Sequence, residues 1–338
     1  MSPAARAHYR AAWLATGLLA LALLLLAAGV GVGSTGLQSI WRALDDATAR
    51  QIVLDIRLPR TLGAWLAGAL LGLAGAVAQG LFRNPLADPF LLGSASGASL
   101  GVALALVLFG FSPLAASWLS ALGLTGAAFF GSMAAVLLTL ALARGVQHTL
   151  RLLLSGVIVG VVLGAIGSLV TLLAPETMPA MQAFMLGSTG FVGWPACGLM
   201  AAAFVACLAV AWTLSPVLDG LTLGEATARS LGLPLAPLRM ALVGVLALAT
   251  GAAVAQTGLI AFVGLAAPHL VRSAVKTTHG RLMVLSALTG GALLLAADIL
   301  ARAWIAPQEL PVGVLTAVLG GGYLLWLMHR GRGQRGVA

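Results

Sequence analysis

Residues 150–173 read LRLLLSGVIVGVVLGAIGSLVTLL, an apolar stretch of 24 residues in which Arg151 is the single charged side chain. About 20 consecutive apolar residues are enough to cross the hydrocarbon core of a bilayer as an α-helix. Gly156, Gly160 and Gly164 recur four residues apart, a spacing typical of membrane helices that pack closely against a neighbour. This stretch therefore predicts a membrane-spanning helix.

Similar stretches follow one another along the whole chain of 338 residues. We predict ten spans, at 11–32, 61–82, 90–110, 117–143, 150–173, 194–214, 236–256, 258–275, 282–304 and 312–329. The first is too long for a signal-peptide core, so we interpret it as a retained helix. Only 8% of the residues are charged and the mean hydropathy is +1.06, whereas soluble proteins carry about 25% charged residues. This composition excludes a soluble domain, a disordered chain and a nucleic-acid-binding protein.

The basic residues predict how the spans are oriented. One set of loops and ends holds 13 of the 18 Lys and Arg residues, and the other set holds Arg42, Arg50, Arg57, Arg60 and Arg302. Loops rich in Lys and Arg stay in the cytoplasm, so we expect both termini on the cytoplasmic side. The sequence thus predicts an all-α polytopic membrane protein with about ten transmembrane helices.

Three longer segments connect the spans within a single domain over 1–338. Segments 33–60 and 174–193 fall on the outer side, and 174–193 is apolar enough for a short helix at the membrane face. Segment 215–235, SPVLDGLTLGEATARSLGLPL, falls on the inner side and has helical spacing between Gly and Pro breakers. We expect 215–235 to be a docking surface for a partner.

The sequence contains none of the common catalytic motifs. It has no GxxxxGK[ST] phosphate loop, no HExxH, CxxC or GxSxG motif, and no clustered metal ligands. Asp298 is an acid within a span and precedes Arg302 by four residues, so the two are expected to pair with each other. We therefore expect neither catalytic nor metal-binding residues, and energy for transport would come from a partner. The alternatives to a transport pathway driven by a partner are an ion-coupled secondary transporter with no ATPase partner, and a membrane scaffold or enzyme.

Several ordered motifs extend this interpretation. They are Arg57-Leu-Pro-Arg60, Gly75 through Gln79, Arg83-Asn-Pro-Leu-Ala-Asp-Pro89, Gly258 through His269 with Arg272, and Glu309-Leu-Pro-Val-Gly313. With these motifs the chain resembles the FecCD-like permease family, the membrane subunits of ABC importers for iron-siderophores, haem and cobalamin. One departure is Gly320-Gly-Gly-Tyr323, where the family usually has Gly-x-Pro and an aromatic residue.

The resemblance implies a type II ABC importer permease fold and a homodimer with the translocation path along its axis. It also implies two cytoplasmic ATP-binding subunits, which would hold ATP and Mg, and a periplasmic substrate-binding protein. This chain would bind no cofactor and would lie in the bacterial inner membrane.

The resemblance also suggests roles at both faces of the membrane. At the outer face Arg57, Arg60 and Arg302 would receive acidic residues of the binding protein; the alternative is that they are ordinary helix-end arginines at the interface. At the inner face the segment 215–235 would fit a groove on the ATPase. Its expected contacts are apolar Leu221, Leu223, Ala226 and Leu231, with Glu225 and Arg229 as a polar rim. The alternative is a solvated loop helix with a local Glu225–Arg229 pair.

A cytoplasmic gate and a substrate path complete the expectations. Asn84 and Leu86 match a constriction of the family, and His148 and Thr149 lie where its other constriction falls; Asn-Pro as simple turn chemistry is the alternative. Met178, Met181 and Met185 recur at helical spacing and either line the path or pack in the core. If they line the path, a bulky and partly apolar chelate suits them better than a polar siderophore, with haem first.

Overall fold

The computed structural model describes residues 3–33, 36–37, 46–109, 118–143, 149–230, 232 and 234–333. The longer helices are α1 (Pro3–Gly31), α3 (Leu58–Leu81), α4 (Ser94–Phe109), α5 (Trp118–Leu142), α6 (Thr149–Leu173), α8 (Trp194–Thr222), α10 (Leu235–Thr257), α12 (His279–Ala303) and α13 (Val312–Gly333). The shorter ones are α2 (Ala47–Gln51), α7 (Met178–Leu186), α9 (Glu225–Ser230) and α11 (Val263–Ala274). Two 3-10 turns cover Pro89–Leu92 and Pro175–Thr177. The expected all-α class is confirmed for these residues, apart from one antiparallel pair of two-residue strands, β1 (Val32–Gly33) and β2 (Gly36–Leu37).

Helix α3 is the innermost element of the bundle. Nearly all of its residues from Thr61 to Leu81 are buried, and it packs against α8, α10, α11 and α12. Its glycines explain how it reaches these neighbours. A Cβ atom on Gly68 would overlap the backbone of Gly290 in α12, and one on Gly75 would overlap the carbonyl oxygen of Gly264 in α11. Residues without side chains at these points let the helix backbones touch.

A second glycine contact joins α4 to α5. Gly97 lies against the backbone of Gly131, and Gly101 lies against Ala127. In α6, Gly156 lies against the carbonyl oxygen of Leu91 in the 3-10 turn. The four-residue glycine spacing seen in the sequence therefore serves helix packing within the chain at these three positions.

The predicted spans correspond to helices, but not all are equally long. Within the described residues, seven helices are long and apolar enough to cross a membrane, and Ser94–Phe109 and Val312–Trp326 are shorter apolar helices. Helix α11 has 12 residues. The prediction of ten spans with both termini inside thus stays a prediction, while a polytopic helical bundle is observed.

The helix around Pro216 corrects one predicted boundary. We expected the span 194–214 to end before Pro216, but α8 continues to Thr222. Pro216 has no N–H to offer the carbonyl of Trp212, and the hydroxyl of Ser215 donates to that carbonyl at 2.8 Å instead. The inner connection is therefore shorter than 215–235 and begins after Thr222. Pro268 lies inside α11, which continues past it to Ala274.

The outer segments also take helical form. Asp46 caps α2 by accepting a hydrogen bond from the Thr48 N–H at 2.9 Å. Helix α2 continues through π-helical Ile52–Arg57 directly into α3, so the second span begins earlier than residue 61. The short helix expected in 174–193 is confirmed as α7.

The α3–α11 contact yields a first prediction. Gly75→Ala places a methyl group where the Gly264 carbonyl oxygen lies, and we expect it to destabilise the fold by about 1–3 kcal/mol or more, as overpacking does. The control is Gly244→Ala in α10, where no atom lies within 4 Å of the added carbon and alanine favours the helix. Thermal unfolding of the detergent-solubilised variants measures both. Equal melting temperatures for the two variants would contradict the packing argument.

Candidate functional site

Asp298 is the centre of a buried ionic cluster at the end of the bundle that the charge pattern assigns to the outside. Its side chain is 0% exposed. Its Oδ2 lies 2.7 Å from Arg302 Nη2, and its Oδ1 lies 3.1 Å from Arg60 Nη2 and accepts the Thr189 hydroxyl at 2.5 Å. The Asp298–Arg302 pair expected from the sequence is confirmed, and Arg60 and Thr189 extend it to neighbouring segments.

The same arginines hold the end of α1. Arg302 Nη1 donates to the carbonyl oxygens of Gly29 and Val32, both at 2.9 Å. Arg57 Nη1 lies 3.4 Å from the carbonyl oxygens of Val30 and Gly31. The last carbonyls of a helix have no partner within the helix and favour cations. Arg57 and Arg302 thus satisfy the C-terminal end of α1.

Arg60 links this cluster to the connection between α12 and α13. Its Nη2 lies 2.9 Å from Glu309 Oε2, and its Nη1 donates to Glu309 Oε1 at 3.1 Å. The side chain of Arg60 is 12% exposed and that of Arg302 is 1% exposed. Arg57 and Arg302 are buried, Arg60 is partly buried, and all three form internal hydrogen bonds or ion pairs. Their role in docking a binding protein stays a prediction. Arg302 has no surface to offer in this conformation.

The methionines of α7 divide into two environments. Met181 is 6% exposed and packs in a small apolar cluster with Val102 and Val254, among others. Met178 and Met185 are 45% and 58% exposed. For Met181 the core-packing alternative is the one observed, whereas Met178 and Met185 remain available for the path.

Two of the four expected gate residues, Asn84 and Leu86, lie in the loop that follows α3. The Asn84 side-chain oxygen accepts the Leu86 N–H at 2.9 Å, so Asn84 stabilises the turn, which is the alternative considered for it. Leu86 is 57% exposed at the tip of this loop. Burial raises the pKa of the nearby Asp88 carboxyl, and the hydrogen bond from the Phe90 N–H opposes that rise. His148 lies outside the described residues, as does the side chain of Thr149, the first residue of α6.

Some of the expected coupling residues are buried and others are exposed. Leu221 is fully buried, because the extension of α8 carries it into the core. Leu223 is 65% exposed, and Ala226 is exposed as well. Glu225 lies 3.2 Å from Arg239 Nη1 in α10. The side chain of Arg229 and the whole of Leu231 lie outside the described residues.

Two further contacts brace the inner end of the bundle. Asp219 Oδ1 accepts the His279 backbone N–H at 3.0 Å and lies 2.7 Å from its Nδ1, which ties α8 to the start of α12. In α3, Gln79 donates to the carbonyl oxygen of Leu265 at 3.2 Å and accepts a hydrogen bond from Arg272. These contacts tie α3 to α11.

The sequence motifs converge on two places in the fold. Gly264 lies against both the Gly75 position in α3 and the ring of Pro89, so three motifs meet where α3 and α11 cross. The motifs Arg57–Arg60 and Glu309–Gly313 meet in the outer ionic cluster. Residues from separate motifs therefore act as packing partners.

Comparisons with known proteins agree with this arrangement. The FecCD transport family profile matches residues 18–330. The chain belongs to the FecCD transport family.

Relatives of this FecCD chain include the hemin transport system permease protein HmuU of Yersinia pestis, 38% identical over 94% of this chain and 96% of HmuU. The vitamin B12 import system permease protein BtuC of Salmonella paratyphi A is 41% identical over 92% of this chain and 94% of BtuC. This family consists of ABC permease subunits, which are transport components rather than enzymes.

Solved structures match as well. A metal-chelate type ABC transporter in an inward-facing conformation superimposes with a TM-score of 0.83 at 30% identity, covering 94% of this chain and 98% of that one. PsaBC from Streptococcus pneumoniae shares the fold with a TM-score of 0.57 at 18% identity, over 85% of this chain and 94% of that one.

Several partners in the FecCD chain escaped the sequence reasoning. Thr189 and Asp219 were not singled out, Glu309 was quoted only as part of a motif, and Glu225 was paired only with Arg229. A signal for the outer cluster was present, because arginines on the outer side run against the positive-inside trend and need acids to compensate them. The sequence could not say that the acid for Arg60 lies 249 residues away at Glu309.

The outer cluster yields a second prediction. Arg302→Met removes one of the two ion pairs of buried Asp298 and takes the Arg302 donor away from the Gly29 and Val32 carbonyls, so we expect a loss of about 3–5 kcal/mol in stability. The matched control is Arg50→Met in α2, an exposed arginine, for which we expect a change within about 0.5 kcal/mol. Thermal unfolding of both variants in detergent measures the two changes in stability. A stable Arg302→Met variant would show that the cluster does not hold the outer end together.

Proposed function

We propose that this FecCD chain is the transmembrane subunit of a binding-protein-dependent ABC importer for a metal chelate. It would act as a homodimer in the bacterial inner membrane, with two ATP-binding subunits on the cytoplasmic face and a periplasmic binding protein outside. The observation that carries the proposal is the match over 94% of the chain to the inward-facing metal-chelate type transporter, at 30% identity. The family profile covers the same region.

The proposed cargo is a metal macrocycle, with haem first. Hemin and vitamin B12, named for the two relatives, are both large rings around a metal. The exposed thioethers of Met178 and Met185 are soft and adaptable, which suits a bulky chelate that must pass without being held tightly. Cobalamin and a ferric siderophore are the competing cargoes.

The proposed contact with the ATPase centres on Leu223. It follows α8 directly and precedes Gly224, whose φ of +105° makes the chain turn before α9. Leu223 and Ala226 are exposed there, and the Glu225–Arg239 ion pair anchors α9 to α10. A short helix that presents exposed apolar residues and is held in place by an ion pair is suited to binding in a groove of a partner.

In the proposed docking of the binding protein, the buried Arg57 and Arg302 would have a structural role. They would not contact the partner as exposed charges. Arg57 and Arg302 would act by holding the ends of α1 and α12 in place beneath the partner. Arg60, with its 12% exposed side chain, and Glu309, at 31%, form the part of the cluster nearest the surface. Direct electrostatic steering would fall to these two and to exposed residues such as Arg50.

Uptake into proteoliposomes tests the proposal. The chain is reconstituted with its ATP-binding subunit and binding protein, and haem, cobalamin and a ferric siderophore are offered in parallel. We expect haem to accumulate only with ATP and the binding protein present, and uptake to stop when either is omitted. Uptake by the chain alone along an ion gradient would instead indicate a secondary transporter. Transport of another cargo under the same requirements would correct the substrate and keep the importer.

Leu223 yields a prediction about coupling. Leu223→Ser removes the exposed apolar contact, so we expect weaker co-purification of the ATPase and at least a tenfold loss of transport. Leu223→Met, which keeps an apolar side chain of similar size, should restore both. Size-exclusion chromatography of the complex and ATP-driven uptake measure the two effects. Normal assembly of the serine variant would remove Leu223 from the interface.

A further inference from the structure

A cavity lies between α1, α8 and α12 near the inner end of the bundle. It has a volume of about 180 Å³ and its walls are mostly methyl and aliphatic groups. Its lining residues are Ala11, Ala12, Ala15, Trp212, Arg281, Val284 and Leu285. The alanines of α1 create the space, because larger side chains would fill it. The metal-chelate path proposed above uses none of these residues.

The position of the cavity along the membrane normal can be inferred from its aromatic neighbours. Tyr9 and Trp13 on α1 are 59% and 73% exposed, and Trp212 on α8 is 49% exposed. Exposed Tyr and Trp residues are enriched where a membrane protein crosses the headgroup region. The cavity therefore opens at the boundary between headgroups and hydrocarbon, in the leaflet that the charge pattern assigns to the cytoplasmic side.

Two arginines lie at this boundary without a counter-charge. Arg281 lines the cavity and is half-buried, and Arg10 directly precedes the lining residue Ala11 and is exposed. In the part of the chain that the structure describes, neither forms a hydrogen bond or an ion pair. The acid nearby, Asp219, is already bound by His279. A half-buried guanidinium beside an apolar cavity favours an anionic partner.

We propose that this cavity is a binding site for an anionic phospholipid of the cytoplasmic leaflet. The phosphate would lie between Arg10 and Arg281, and an acyl chain would occupy the cavity between α1 and α12. Basic pockets between transmembrane helices on the cytoplasmic side have the chemistry that anionic headgroups require. The lipid would attach α1, whose inner half is otherwise largely exposed, to α8 and α12.

Native mass spectrometry of the detergent-solubilised chain tests the site, with phosphatidylglycerol and phosphatidylcholine as probes. We expect Arg281→Gln to weaken phosphatidylglycerol binding about fivefold, the effect of one basic residue near an anionic lipid, and the Arg10→Gln/Arg281→Gln double variant about 25-fold. Phosphatidylcholine binding should not change. Arg50→Gln, which removes an exposed charge at the opposite end, is the matched control and should bind as the wild type does.

A second pair of variants tests the acyl-chain part. Ala15→Leu fills the cavity and should weaken phosphatidylglycerol binding, whereas Ala20→Leu on the same helix, outside the cavity lining, should not. Size-exclusion profiles and melting temperatures confirm that each variant is folded.

Three results would overturn the proposal. The first is equal phosphatidylglycerol binding by the wild type and the double variant. The second is displacement of the lipid by free glycerol 3-phosphate at similar concentration, which would indicate a simple anion site. The third is efficient disulfide cross-linking of Ala15→Cys between two copies of the chain, which would show that a second copy covers the cavity.

Discussion

The fold depends on backbone contact between the buried helix α3 and its neighbours α12 and α11. Gly68 meets Gly290, and Gly75 meets Gly264, with no side chain between the helices at either point. Inside a membrane there is little hydrophobic gain from pressing helices together, so association relies on close van der Waals packing. Any side chain at these positions would separate the axes, and the contacts that surround α3 would move with them.

The polar contacts at the two ends of the bundle use the positions that this packing provides. At the outer end Asp298 joins Arg60 of α3 to Arg302 of α12, and the two arginines then reach Glu309 and the carbonyls of α1. At the inner end Gln79 joins α3 to α11. Buried ions and amides are costly unless their partners are placed accurately, which the glycine crossings make possible. The motifs that relate the chain to the FecCD family are therefore mostly contact residues of a rigid centre.

Sequence reasoning reached the helices and their order because each span carries its own signal in 20 or so neighbouring residues. It failed where the deciding contact lies elsewhere in the chain. Pro216 has the local signal of a helix end, but Ser215 replaces the missing hydrogen bond and Leu218 and Leu221 are buried beyond it. The charge pattern placed the three outer arginines at one end of the bundle, and they do lie together there, yet their partners come from distant segments. Helical periodicity grouped Met178, Met181 and Met185, although of these three only Met181 is buried.

The bond between Arg302 and Gly29 spans 273 residues, and this separation has a consequence for biogenesis. Helix α1 is inserted first, and its last carbonyls must wait for the residue that satisfies them. At translation rates of about 5–20 residues per second, that interval is on the order of 10–60 s. Meanwhile α12 enters the membrane with Asp298 and Arg302 one turn apart, and this internal neutralisation reduces the cost of inserting either charge. Helix α12 thus forms the late contact with α1. Until that contact forms, Asp298 and Arg302 neutralise each other within α12.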